Sequence, residues 1–383
     1  MQKFDSIIIR YGEIALKGKN RPFFERKLIG NIERKFKEDN IEYQTVFRIS
    51  GRLIIKSSDK NAISALSKIF GIISFSPAVE TKSNLEDIKK KTLEIVKKEI
   101  SKGSSVRISS QRTNKEFPLK SPEINSKVAN YLLENTKDID FDYKNYNKEI
   151  LIEVSKENTY IAYEKYKSLG GLPVGVSGKA ICLFSGGIDS PIAALKAMKR
   201  GCEIELIHFF NEANNPDIPN KIKDLYLILK EYQPWLRMRI VPFSTIERKI
   251  IIESPEKYRI IILRIMFLRF IDLFYRGKAE TIFTGDNLAQ VASQTLSNLK
   301  TISQFSKKLI LRPLIGMDKQ EIIDLAKKHK TYESSIKSYS DCCSFLVPRH
   351  PKTTSKYEDA KKISDKISDQ ELKELFEKIE TYN

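Results

Sequence analysis

Ser185-Gly186-Gly187-Ile188-Asp189-Ser190 is the stretch whose residue types and spacing best suit chemistry. Paired glycines let main chain approach an anion closely, and the hydroxyls of Ser185 and Ser190 add donors. Asp189 and Ser190 are expected to cap a helix, with Pro191 at its first position. A strand entering the turn and a helix leaving it aim backbone N–H groups and a positive dipole end at one point, which suits a phosphate. Gly178-Lys179-Ala180 lacks the hydroxyl residue and the earlier glycine of a Walker A loop. Asp189 suits a magnesium ion or the ordering of the loop. Cys342-Cys343, a vicinal pair in the polar stretch Ser340–Pro348, is the second reactive feature. Cys182 and Cys202 lie in or beside apolar strands and read as inert core residues. A metal or iron–sulfur centre would need more ligands than His350 and the other cysteines provide, so no metal site is assigned.

These groups need a scaffold, and the sequence around them alternates. Ala180–Phe184, Glu203–Phe209, Arg237–Pro242 and Glu280–Thr284 read as strands; Pro191–Arg200, Lys221–Tyr232 and Tyr258–Arg276 read as the helices between them. Asp318 and Glu321 form a capping box that opens a helix to Lys330. Helix-like stretches follow at Ser355–Ile363 and Gln370–Tyr382. The pattern predicts a doubly wound parallel sheet with its ligand at the strand C-terminal ends. Three strand ends can then converge on the loop: His208-Phe209, with a flat side chain and main-chain polar groups for a purine; Thr284-Gly285-Asp286-Asn287, with Gln294 nearby; and the loop itself. Arg264 lies in the basic helix.

The N-terminal part reads Ser6–Arg10 strand, Pro22–Lys37 helix, Glu42–Arg48 and Arg52–Lys56 hairpin, Asn61–Phe70 helix and Ile72–Ser76 strand, a ferredoxin-like βαββαβ order. Between its first strand and helix, Arg10–Arg21 is a basic, glycine-bearing loop. Tyr11, Lys17, Lys19, Asn20 and Arg21 there suit phosphate and base contact. Pro77 is expected to open the next unit. Leu85–Ile100 and a stretch from Ser121 or Pro122 to Asn135 read as helices; Ser105–Ser109, Glu149–Val154 and Tyr160–Tyr163 read as strands. Arg107, Arg112, Lys115 and Lys120 flank a strand end and a helix start, a face for a nucleic-acid backbone. Leu169–Gly178, with four glycines and a proline, reads as a linker. The expected units are 1–76, 77–166, a linker 167–178, and 179–383.

The 383-residue chain holds 67 Lys+Arg against 49 Asp+Glu, a formal charge of +18 that favours a polyanionic partner. No window approaches the roughly 18 apolar residues of a membrane span. The start shows no signal-peptide pattern, and the cysteines make no disulfide framework, so a reducing cytoplasm is expected.

SGGIDS resembles the PP-loop of the ATP pyrophosphatases, and Val106–Asn130 resembles a THUMP domain, an RNA-binding module. YGEIALKGKN, that THUMP-like run, GGLPVGVSGKA, SGGIDSP, TGDNLAQVASQTLSNL and RPLIGMDKQEII, in this order, are similar to the tRNA 4-thiouridine synthetase family. The resemblance covers essentially the whole chain. It implies that ATP adenylates C4 of a uridine near position 8 of tRNA, releasing pyrophosphate, and that sulfur then displaces AMP. It implies ATP contacts from Leu183, Phe184, Ser185, Gly186, Gly187, Asp189, Ser190, His208, Phe209, Arg264, Gly285 and Gln294, with Mg²⁺ inferred from ATP chemistry. The family's reactive cysteine falls in the Cys342-Cys343 segment, with Cys343 the nearer match. No cysteine follows, so the rhodanese-like persulfide carrier of some members is expected to be absent. Sulfur would then come from an external donor, a cysteine desulfurase persulfide or sulfide. A role in thiamine synthesis and the oligomeric state, a homodimer included, are left open. The competing readings are another PP-loop tRNA thiolase (2-thio modification), a small-molecule synthetase and a non-catalytic tRNA-binding module.

Overall fold

A computed structural model describes residues 4–137, 139–213, 217–338, 346 and 348–383. The chain divides into two compact units, Met1–Pro173 and Val174–Asn383.

In the first unit, β1 (Ser6–Arg10), α1 (Arg21–Glu38), β2 (Thr45–Ile49), β3 (Arg52–Lys56), α2 (Asn61–Leu66) and β4 (Ser74–Lys82) form the ferredoxin-like half. Next come α3 (Leu85–Glu99), β5 (Ser104–Arg112), α4 (Ser121–Asn135), β6 (Ile139–Phe141), β7 (Lys148–Val154), β8 (Asn158–Ala162) and β9 (Tyr166–Lys167). One sheet runs through both halves in the order β2-β3-β1-β4-β8-β7-β5-β6, with β9 added to β4. Ile7, Ile9, Leu28, Ile32 and Phe36 are buried in one core, and Ile88, Val106, Ile124, Val128 and Ile152 in the next.

One expectation needs correction here. The stretch after β1 is not an open loop: Glu13–Asn20 winds into a 3₁₀ helix, broken at Gly18, whose φ is 50°. β4 passes straight through Pro77, the residue expected to open the next unit. Ala78 O accepts from Asp5 N (3.2 Å), so the polar side of Pro77 faces the other strand edge. That edge pairs with β9 at Ser74–Phe75 and with β8 at Val79–Lys82, so the missing N–H falls between two partners and costs no ladder bond. The glycine-rich linker is also tied down at both ends. Gly170 N–H donates to Ile72 O (2.7 Å), and Gly175 and Ser177 N–H donate to Gly201 O (2.7 and 3.0 Å).

The second unit is built on β10 (Lys179–Leu183), α5 (Asp189–Lys199), β11 (Glu203–Phe210), α6 (Asn220–Lys230), β12 (Arg237–Pro242), α7 (Ser244–Glu253) and α8 (Arg259–Phe274). It continues with β13 (Thr281–Phe283), α9 (Leu296–Ser303), β14 (Leu309–Leu311), α10 (Lys319–Lys328), α11 (Tyr332–Ser335), α12 (Tyr357–Ser364), α13 (Asp369–Lys373) and β15 (Glu380–Tyr382). The sheet order is β14-β13-β10-β11-β12-β15, parallel except for β15. The C-terminal helix expected to Tyr382 ends at Lys373. The chain after it forms a 3₁₀ turn and an antiparallel edge strand on β12. α8 buries Ile261, Ile262, Leu263, Ile265, Met266, Leu268, Phe270 and Ile271, so it is apolar on nearly every face, as a central helix must be.

Candidate active site

β10 lies between β11 and β13, and the chain order reverses there, the position where open α/β sheets leave a crevice at their strand ends. Ser185–Ile188 fills the turn between β10 and α5. Ser190 Oγ donates to Ser185 O (2.9 Å) and accepts from Ser185 N (3.0 Å), closing the loop on itself. The Ser190 hydroxyl thus shapes the loop and is not the free donor expected. α5 starts at Asp189 and has no side-chain cap, so neither Asp189 nor Ser190 caps it, and Pro191 is its third residue.

Close approach requires a glycine at 285 and leaves little room at Gly186. A Cβ at Gly285 would sit 2.9 Å from Ser190 N and 3.1 Å from Asp189 C, pure backbone. One at Gly186 would sit 3.0 Å from Lys221 Cε. The β13 end and the start of α5 therefore touch main chain to main chain, which brings the two quoted motifs together.

A cavity of about 210 Å³ opens at this junction. It is lined by Leu183, Phe184, Ser185, Asp189, Ser190, His208, Phe209, Arg264, Gly285 and Gln294, by Thr284 and Asp286 of the strand-end motif singled out in the sequence, and by Ile207 and Phe267, which the sequence did not point to. Gly186 and Gly187 sit in the loop itself.

His208 and Phe209 both line the cavity. His208 is 1% exposed, and its Nδ1 lies 2.8 Å from Phe184 O. A carbonyl only accepts, so Nδ1 carries the proton and ties β11 to the loop root. Phe209 is buried and stacks on Phe267 (4.1 Å, 11° between planes). Neither ring lies open as a purine platform; with Leu183, Ile207 and Phe267 they make the cavity's apolar wall.

Its polar floor is Asp286. The buried carboxylate pairs with Arg264 and with Arg312 (3.1 Å) and accepts from Thr284 Oγ1 (2.8 Å). Arg264 is thus held by the protein's own acid. Burial holds the Arg312 guanidinium below its ordinary pKa. Gln294 is buried nearby, and its Oε1 meets no donor among the described residues, leaving an acceptor for a ligand.

At the cavity edge, the Asp189 carboxylate takes Lys319 Nζ at 2.7 Å and Gln290 Nε2 at 3.0 Å. Sequence reading named neither partner. The Asp318–Glu321 capping box, observed with both bonds at 2.8 Å, was the signal available: it fixes Lys319 at the first turn of α10. Likewise Thr284-Gly285-Asp286-Asn287 carried the buried acid within a motif already singled out. Cys342 and Cys343 lie outside the described residues. Burial pushes the Cys182 thiol up to about 12, in keeping with an inert core residue, and raises Cys202 as well.

The first unit carries the basic groups. Tyr11 is buried, donates to Glu25 and receives Arg21 Nη2 at 2.7 Å, so its ring is a core strut and not a stacking face. Burial and Glu25 both raise its pKa. Lys17 lies over the Phe24 ring (5.1 Å), while Lys19 and Asn20 are exposed and Arg21 is half-buried. Arg112 donates to Phe117 O (3.0 Å), and the Lys120 N–H donates to Glu123 Oε2 (2.6 Å) at the start of α4. Arg107 lies against the rings of Tyr143 (4.6 Å) and Tyr146 (5.3 Å). A groove of about 550 Å³ runs between the β2–β3 turn and the loops at 113–116 and 155–158. Its cations are Arg48, Lys115 and Lys156.

Among the described residues no helix is long and apolar enough to cross a membrane, and no group of three or more His, Cys, Asp or Glu is placed to hold a metal. Residues 175–368 match the family model for the thiamine biosynthesis protein ThiI, 6–76 that of the ThiI ferredoxin-like domain and 82–164 that of the THUMP domain. A protein of Bacillus licheniformis described as a probable tRNA sulfurtransferase is 40% identical over 92% of this chain and 89% of its own. One of Geobacillus thermodenitrificans with the same description is 39% identical over 98% and 94%. A crystal structure of a 4-thiouridine synthetase–RNA complex with bound ATP superposes with a TM-score of 0.87 at 34% identity, covering 99% of each chain.

Proposed function

Since the chain belongs to the ThiI family of tRNA sulfurtransferases, we propose that its PP-loop unit adenylates C4 of a uridine near position 8 of tRNA and replaces that oxygen with sulfur. The observation that carries this reading is the Asp189–Lys319–Gln290 cluster at the mouth of a cavity floored by a glycine loop and a helix start. The apolar wall of Leu183, Ile207 and Phe267 suits an adenine, and Gln294 Oε1 suits an N–H or O–H of the nucleoside. The loop's main chain and the α5 N-terminus suit the polyphosphate. Lys319 is the cation at the point where negative charge grows as pyrophosphate leaves. Mg²⁺ brought in by ATP would neutralise phosphate charge, with Asp189 as its protein ligand, since the ion is usually held mostly by phosphate oxygens and water.

In the first step the uridine O4 bonds to the α-phosphorus and the bond to the β-phosphate oxygen breaks, releasing pyrophosphate. In the second, the terminal sulfur of a persulfide on Cys343 bonds to C4, and the C4–O bond breaks with departure of AMP. A thiol, Cys342 or an external reductant, then attacks the Cys343 sulfur. It takes over the disulfide bond and leaves 4-thiouridine. Sulfide would need only the displacement at C4. We assign RNA capture to the groove with Arg48, Lys115 and Lys156 and to Lys19, Asn20, Arg107 and Lys120, with 1–76 and 77–166 as RNA-binding modules and 179–383 as the catalytic module. We place the work in the cytoplasm, and a homodimer is the assembly to test first.

The test is nucleoside mass spectrometry of tRNA incubated with the protein, ATP, Mg²⁺ and a sulfur source. 4-Thiouridine is expected. A 2-thio nucleoside would redirect the chemistry, and no AMP release would leave a binding module. Cys343→Ser is expected to block transfer from a desulfurase-generated persulfide while pyrophosphate is still released. Full activity of that variant with both persulfide and sulfide would remove Cys343 from the sulfur path.

A further inference from the structure

Lys221, the second residue of α6, is 7% exposed, an uncommon place for an ammonium. Its Nζ donates to Ser335 O (3.0 Å) and Lys337 O (2.6 Å), at the end of α11 and just beyond it. Its stem runs under the PP-loop, where a Cβ on Gly186 would meet Cε at 3.0 Å and Cδ at 3.2 Å. One side chain thus touches the loop assigned to pyrophosphate and grips the main chain that leads, a few residues on, to Cys342 and Cys343. A second tie from the same helix, Asp224 to Lys337 Nζ at 2.7 Å, holds the same residue from the surface.

We propose that Lys221 is a positioning residue that couples the two half-reactions: it fixes the root of the cysteine-bearing segment against the adenylating loop. The proposal rests on the sulfurtransferase reading above. Charge-assisted bonds from a buried ammonium to carbonyls are among the stronger intramolecular ones, and a methylene stem without the ammonium keeps the packing and loses both. The Gly186 contact explains why the strut must be slim along its length: loop and stem share one layer of space.

The experiment compares wild type with Lys221→Met in three arms on the full chain with tRNA: pyrophosphate release, 4-thiouridine formed from a desulfurase plus cysteine, and 4-thiouridine formed from sulfide. The expected pattern is a drop of tenfold or more in the desulfurase arm, with pyrophosphate release and the sulfide arm within twofold of wild type. A role in folding alone would lower all three together, and any pattern other than the expected one overturns the proposal. Asp224→Ala combined with Lys337→Ala cuts the exposed tie and should fold whatever Lys221→Met does. It is expected to lower the desulfurase arm two- to threefold and spare the others; an unchanged desulfurase arm would count against the coupling. Absence of pyrophosphate from the wild-type reaction would instead defeat the adenylation reading itself.

Discussion

Gly285→Ala tests the backbone contact on which the site depends. The added Cβ would stand 2.9 Å from Ser190 N and 3.1 Å from both Asp189 C and Ser190 Cα. Ordinary contact begins near 3.4 Å, so the gap must widen by about half an ångström, and no side chain is present to yield. Overpacking of this kind costs typically about 1–3 kcal/mol. In a unit of this size that is a loss of roughly 2–12 °C in Tm, taking about 2–4 °C per kcal/mol. The catalytic effect should be larger in proportion. The displaced atoms begin α5, which carries Asp189, and misplacement by up to about 1 Å can cost on the order of 100-fold in rate. We expect pyrophosphate release to fall about 10- to 100-fold while the protein remains folded at 25 °C. Gly316→Ala is the control: nothing lies within 4 Å of its added Cβ, so stability and rate should hold, within about 0.5 kcal/mol. Thermal melts and a coupled pyrophosphate assay on both variants decide the matter. Wild-type turnover in Gly285→Ala would refute the claim that this contact sets the loop.

Asp189→Ala should abolish thiolation and AMP release yet cost no more than about 1 kcal/mol of stability, because the Lys319 partner is largely exposed; a denaturant midpoint and an AMP assay check both halves. Replacing Arg48, Lys115 and Lys156 with Ala should lower the slope of log affinity against log salt for tRNA by about two to three, with ATP binding unchanged; filter binding over a salt series measures it. His329 has its pKa lowered to about 4, first by burial and then by Lys328 and Lys199, and it shares a hydrogen bond with Tyr232 (3.0 Å). Its folded pKa lies below the unfolded value, so the unfolded chain takes the proton first. Stability should therefore decline as pH falls from about 6.5 to 4, by about 1–2 kcal/mol after allowance for partial exposure. His329→Gln should flatten that part of the pH–stability curve; an identical curve in the variant would assign the decline to other groups.

The parallel sheet was readable because β10 is an apolar run and β11 and β12 turn apolar toward their C-terminal ends, with helical stretches between them, and the loop because Ser-Gly-Gly and Asp-Ser stand between a strand and a helix. Single-residue roles were less readable. Tyr11, His208 and Phe209 are all of types that contact nucleotides or bases, yet the fold buries them, and burial is a property of neighbours far away in sequence. Lys319 and Lys221 read as surface lysines in helices; their partners, Asp189 and the carbonyls of Ser335 and Lys337, lie more than a hundred positions away. The short elements β6, β9, α7, α9 and β14 escaped because three-residue strands and half-polar helices carry little periodicity of their own.

β4 has a consequence for anyone who would take the protein apart. Its first half is a strand of the ferredoxin-like half and its second half a strand of the THUMP half, without a break at Pro77. A cut at residues 76–77 would leave each fragment with a severed strand and an open, unpaired edge, the kind of surface on which chains aggregate. Buried Glu153 of β7, bridged to Arg10 and Arg52 of the other half, would be stripped of both partners by the same cut. The two RNA-side modules, distinct as sequence families, are thus one heritable part: exchange between relatives preserves the fold only if the crossover falls outside that strand.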